Sequence, residues 1–145
     1  MRPDRYEAGT QNTPGLAGLS AGVQYVLKET VPRIYEKEWL LTQRLMQGLQ
    51  EIAGVSLLGP KLGEPRTGIV AFNVENIDPS ELSFILDQHY QIAVRAGFHC
   101  TPLAHMCAGT SATGAVRASV GLFTTEDEVD ALTEAIKEIT LQYQS

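Results

Sequence analysis

At 145 residues, 43% hydrophobic and 19% charged, the chain is long enough for one domain with a real core and too apolar for a disordered segment. A net charge of −6 with no lysine or arginine stripe argues against a nucleic-acid partner. No apolar run approaches the roughly 18 residues of a membrane span, and no charged-then-apolar leader opens the chain. Two cysteines, Cys100 and Cys107, make no disulfide framework and suit a reducing compartment, so the cytoplasm is the expected location.

Residues 1–14 (MRPDRYEAGTQNTP) are polar and turn-rich and read as an arm. From Gly15 the apolar residues Leu16, Leu19, Val23, Val26 and Leu27 recur at helical spacing. Thr30-Val31-Pro32 breaks that helix and starts another, with proline tolerated in the first turn. Ile34, Leu41, Leu45, Leu49 and Ile52 form the stripe of this second, long helix, which Gly54 ends. Residues 55–58 (VSLL) predict a short strand, residues 61–66 a loop, and residues 68–73 (GIVAFN) a second strand. Asp78-Pro79-Ser80-Glu81 reads as a cap, a proline and an acidic first turn opening a helix to about His89. Residues 92–94 predict a third strand and residues 115–122 a fourth, with Val116, Ala118 and Val120 alternating against Arg117 and Ser119. Thr125 and Glu128 spell a capping box before a terminal helix striped by Val129, Leu132, Ile136, Ile139 and Tyr143. The order implies an α+β fold: a small, mostly antiparallel sheet with helices packed on one face. The arm and the glycine-opened first helix read as a cut through a larger protein.

The chemistry concentrates in residues 94–117, VRAGFHCTPLAHMCAGTSATGAVR. Gly97, Gly109 and Gly114 relax this stretch and Pro102 fixes one turn, giving a soft loop that carries a thiol. Cys100 is either a small buried hydrophobe or a nucleophile whose thiolate His99 and Arg95 favour. Cys107 reads as packing. His99, Cys100, His105 and Cys107 are ligand types zinc accepts, which leaves open a non-catalytic binding or metal-binding module. Their spacing, however, contains no C-x-x-C or H-x-x-x-H pair. A Cys/His hydrolase using His89, His99 or His105 as base also stays open. Arg117, inside an apolar strand, is either an edge-strand arginine in a surface ion pair or a bidentate grip for a carboxylate. Ala8-Gly9-Thr10 offers a backbone N–H and a hydroxyl to a phosphate.

Taken in order, several segments resemble the C-terminal part of class V aminotransferase-fold enzymes, specifically cysteine desulfurases and selenocysteine lyases. They are Arg5-Tyr6-Glu7-Ala8-Gly9-Thr10 with Asn12-Thr13, the 68–73 strand, Ile92-Ala93-Val94-Arg95-Ala96-Gly97 with His99-Cys100, Val116-Arg117-Ala118-Ser119, and Thr124-Thr125-Glu126-Asp127-Glu128-Val129. The short interval from Cys100 to Arg117 is similar to the Suf-type group. The resemblance implies the small C-terminal domain of a fold-type I pyridoxal-phosphate enzyme over residues 15–145. Residues 1–14 would then be an arm toward the large domain or a partner subunit.

It further implies an enzyme that removes sulfur from L-cysteine, or selenium from selenocysteine, leaving alanine. Cys100 would be the catalytic thiolate that becomes a persulfide, and Arg117 the substrate-carboxylate arginine. Arg95 would be a second substrate-binding arginine, and Thr10 a cofactor-phosphate ligand reaching a neighbouring subunit. His99 receives no step and no metal is implied. Another class V lyase is the neighbouring alternative. The family's partners are a sulfur-acceptor protein and a second copy of the chain. The four lysines, Lys28, Lys37, Lys61 and Lys137, lack the context of the family's Schiff-base lysine. The lysine-bearing large domain is therefore expected outside these residues, and the 145 residues alone are expected to bind no pyridoxal phosphate and turn over no cysteine.

Overall fold

The computed structural model describes residue 6 and residues 9–143. Arg5, Glu7 and Ala8 of the arm motif lie outside the described residues. The chain divides into two compact units, residues 1–34 and residues 35–145.

The first unit carries α1 (Thr13–Glu29). The Asn12 side chain accepts from the Gly15 N–H at 3.0 Å, Pro14 sits in the first turn, and the Thr30 N–H closes the other end on the Val26 carbonyl. Periodicity located this helix, yet its stripe of Leu16, Leu19, Val23, Val26 and Leu27 stays exposed, and α1 buries no residue. Helix α2 (Val31–Gln50) follows, and its residues from Tyr35 onward belong to the second unit.

Within the second unit, β1 (Val55–Leu58), β2 (Ile69–Val74), β3 (Arg95–Gly97) and β4 (Ala115–Ser119) form one antiparallel sheet in the order β1-β2-β4-β3. Phe72, Val70, Val74, Val116 and Ala118 point to one face. There they meet Leu41, Leu45, Met46 and Leu49 of α2, Leu82 and Leu86 of α3 (Pro79–Tyr90), and Val129, Leu132, Ile136 and Ile139 of α5 (Glu126–Tyr143). The period-2 alternation of a strand makes this separation possible, and burying Phe72 alone contributes about 2–3 kcal/mol. Gly48 lets α2 lie close to α5: a Cβ there would stand 2.6 Å from Thr133 Cγ2.

Both anticipated caps form. The Asp78 carboxylate accepts from the Ser80 N–H at 2.8 Å, and Thr125 and Glu128 exchange side-chain-to-backbone bonds at 3.3 and 2.9 Å. Each is worth about 1 kcal/mol.

Four details depart from the sequence reading. The third strand is residues 95–97, not 92–94, because the Gln91 and Ile92 N–H groups both close the end of α3 on the Leu86 carbonyl. The fourth strand stops at Ser119 rather than running to Leu122. Tyr143 of the α5 stripe is exposed, with its hydroxyl donating to Glu81 at 2.6 Å. The thiol loop is not wholly soft: it contains α4 (Pro102–Ala108), started by Pro102 and ended by Gly109 in the left-handed conformation. Among the described residues, no helix is long and apolar enough to cross a membrane.

Candidate active site

The sheet face away from the core carries the site. Pairing aligns Leu58, Ala71, Arg117 and Arg95 in one row across all four strands. Arg117 therefore sits on an inner strand between β2 and β3, which replaces the expectation of an edge-strand arginine; Arg95 occupies the edge. Helix α4 lies over this face, and together they enclose a cleft of about 390 Å³. Leu58, Ile69, Ala71 and Ala115 wall it from the sheet, and Ala104 and Ala108 from α4, with Arg117, His99, Thr101, His105 and Thr110 as its polar groups.

Arg117 is half-buried, and its Nε has no hydrogen-bond partner among the described residues. Among the described residues, no acidic side chain pairs with Arg117 or Arg95. A buried guanidinium N–H that meets no protein acceptor, beside a second arginine with no acidic partner among the described residues, is suited to receive an anion.

Cys100 is a free, exposed thiol between His99 and Thr101, both of which line the cleft. His99 and Cys100 have φ of 51° and 61°, two successive residues in the left-handed region. For side chains other than glycine this costs roughly 1–2 kcal/mol each, so surrounding contacts must hold the turn. Gly114 shows one such constraint: its φ is 78°, and a Cβ there would stand 2.6 Å from the Gly97 carbonyl.

The His99 ring lies 3.0 Å by its Nε2 from the Ala115 carbonyl. A carbonyl only accepts, so Nε2 carries the proton. Burial pushes the His99 pKa down, the bond to Ala115 opposes this, and Arg117, Arg95 and His105 add to the lowering. The neutral ring leaves a buried lone pair on Nδ1 with no partner among the described residues.

His105 bonds Phe98 and Thr110 through its two ring nitrogens, and Cys107 is exposed on α4 rather than packed inside. Among the described residues, no three His, Cys, Asp or Glu side chains gather to hold a metal, so the His99-Cys100/His105-Cys107 set does not form a ligand shell. His89 is exposed on the last turn of α3. Thr10 is exposed at a bend ahead of α1, in the first unit.

None of the four lysines lines the cleft: Lys37 donates to the Leu122 carbonyl, and Lys137 lies near Glu134 on α5. Of the residues singled out from the sequence, Arg117 lines the cleft, Arg95 pairs with it across the strands without lining the cleft, and Cys100 stands between two lining residues. The sequence reading missed α4, which helps form the cleft, although proline at its start and glycine past its end are visible signals.

The family model for class-V aminotransferases matches residues 1–132. A probable cysteine desulfurase of Pyrococcus abyssi is 33% identical over 143 residues, covering 99% of this chain and 35% of the relative. The cysteine desulfurase of Salmonella agona is 35% identical over 137 residues, covering 94% and 32%. Among solved structures, apo cysteine desulfurase from Thermococcus onnurineus superposes with a TM-score of 0.87 at 35% identity, over 97% of this chain and 34% of that one. An Escherichia coli cysteine desulfurase, in an S-sulfonic acid form, superposes with a TM-score of 0.82 at 27% identity, over 97% and 33%. The chain spans about a third of the length of the relatives it matches.

Proposed function

Because this chain belongs to the class-V aminotransferase family, we propose that it is the small C-terminal domain of a pyridoxal-phosphate-dependent cysteine desulfurase. Residues 15–145 would form that domain, and residues 1–14 an arm toward the large domain or a partner subunit. The observation that carries the reading is Arg117, which has no acidic partner among the described residues, at the cleft that His99 and Thr101 line on either side of the exposed thiol of Cys100.

The residues present fit part of such a cofactor site. Thr10 is an exposed hydroxyl ahead of α1, suited to the cofactor phosphate of a neighbouring subunit. No lysine stands at the cleft to hold the cofactor aldehyde, so that group belongs outside these residues. When bound, pyridoxal phosphate would supply the electron sink that weakens the substrate's C–S bond.

The chain's own side chains perform the rest. Arg117 grips the carboxylate of L-cysteine bidentately, and Arg95 adds positive charge alongside. The Cys100 thiolate attacks the substrate sulfur, and an S–S bond forms as the substrate's C–S bond breaks. The substrate carbon keeps that electron pair, takes a proton and leaves as alanine, while Cys100 retains the persulfide. Selenocysteine offers the same geometry with a weaker bond. The persulfide then passes to an acceptor thiol, which supports a place in sulfur supply for iron–sulfur cluster assembly. The compact span from Cys100 to Arg117 supports the Suf-type group, the family resemblance supports a homodimer, and the two free cysteines support a cytoplasmic location.

The complete enzyme, purified with pyridoxal phosphate and given L-cysteine, should release alanine and protein-bound sulfur. No alanine from a folded, cofactor-loaded enzyme overturns the proposal.

A further inference from the structure

His105 is a buried histidine, 6% exposed in the middle of α4. Its Nε2 lies 3.1 Å from the Phe98 carbonyl, which only accepts, so Nε2 carries the proton. Its Nδ1 then accepts a hydrogen bond from the Thr110 hydroxyl at 2.8 Å. The Phe98 ring also meets the imidazole edge-on, with centroids 5.4 Å apart and planes at 84°. Both nitrogens are occupied, so the ring has no lone pair to offer a substrate or a metal.

The two partners bracket the thiol. Phe98 stands just before His99 and Cys100, and Thr110 just after the Gly109 cap. The Phe98 carbonyl also accepts from the Thr101 N–H and the Thr101 hydroxyl, both at 2.9 Å, while the Thr110 N–H returns to the His105 carbonyl at 2.9 Å. The only two residues between Phe98 and Thr101 are His99 and Cys100, the pair in the left-handed conformation. A turn that the backbone disfavours is thus closed on one carbonyl, and His105 fastens that carbonyl to α4.

We propose that His105 is a positioning residue for Cys100: through Phe98 and Thr110 it holds the His99-Cys100 turn, and so sets where the thiol meets the substrate sulfur. The consequence for turnover rests on the desulfurase reading; the clamp on the turn does not.

Two readouts test it. In the 145-residue chain, amide hydrogen exchange at Thr101 should quicken by about tenfold or more in His105→Leu, while α5 amides change by less than about twofold. His105→Gln, whose amide can both donate to Phe98 and accept from Thr110, should restore protection. In the complete enzyme, His105→Leu should lower kcat for alanine by about tenfold with KM within about twofold, and His105→Gln should recover most of the loss. If His105→Leu unfolds, shown by lost protection throughout α5, Thr110→Val removes one of the two bonds and carries the same readouts with a smaller loss. Unchanged Thr101 exchange, or a wild-type kcat, in a folded His105→Leu protein overturns the proposal. Turnover that survives Cys100→Ser instead sinks the desulfurase reading, and leaves the exchange result to decide the clamp.

Discussion

Arg95 and Arg117 stand directly opposite one another on neighbouring antiparallel strands, and among the described residues neither has an acidic partner. Like charges directly opposed across a sheet destabilise it by a few tenths to about 1 kcal/mol. The fold keeps an arrangement that costs stability, as expected where an anion is to be received. Arg117→Met should therefore raise the unfolding free energy slightly, by up to about 1 kcal/mol in urea. In the complete enzyme the same change should raise KM for L-cysteine by about 10- to 100-fold, the loss of a charge-assisted pair. Arg95→Gln should share the first effect and show less of the second.

His99 makes a pH prediction. Its folded-state pKa lies below the ordinary value of about 6.5, chiefly because the ring is buried. The unfolded chain therefore takes up a proton first as pH falls. The stability from the neutral ring is complete above about pH 6.5 and declines as pH drops from there toward the lowered value. Denaturation curves at pH 7.5 and 5.5 should show wild type losing more stability on acidification than His99→Gln. Equal losses would show that His99 does not titrate in this way.

Gly114 tests the geometry of the thiol loop from its far end. A Cβ there would meet both the carbonyl carbon and the oxygen of Gly97 at 2.6 Å, on a backbone already at φ 78°. Gly114→Ala should cost about 1–3 kcal/mol, measured by urea denaturation. Gly109→Ala, with φ 71° but open space around its Cβ, should cost less.

The fold was legible wherever a local rule agreed with the packing. Asp78-Pro79 and Thr125-Glu128 announce their helices because capping is a short-range transaction between side chain and backbone. Val116 and Ala118 against Arg117 announce a half-buried strand because the period of two survives in a five-residue element. What escaped was decided by longer-range contacts. Residues 92–94 look like a strand, but the end of α3 takes the Ile92 donor. The α1 stripe gives a helix without saying what covers it. The pairing of Arg95 with Arg117 and the closing of a cleft by α4 depend on strand register, which no spacing within the loop reveals. Residue pattern alone left Cys100 and Arg117 with two readings each, and the family resemblance singled them out; the structure sets Arg117 at the cleft and Cys100, exposed, between two residues that line it.

The most direct measurement is to locate the sulfur. The complete enzyme, loaded with pyridoxal phosphate, is mixed with one equivalent of L-cysteine, its thiols and persulfides are alkylated at once, and the peptides bearing Cys100 and Cys107 are weighed. The account predicts one added sulfur atom on the Cys100 peptide, matched by alanine, none on the Cys107 peptide, and no persulfide in Cys100→Ser. Sulfur on Cys107 instead, or alanine formed at the wild-type rate in Cys100→Ser, would contradict it.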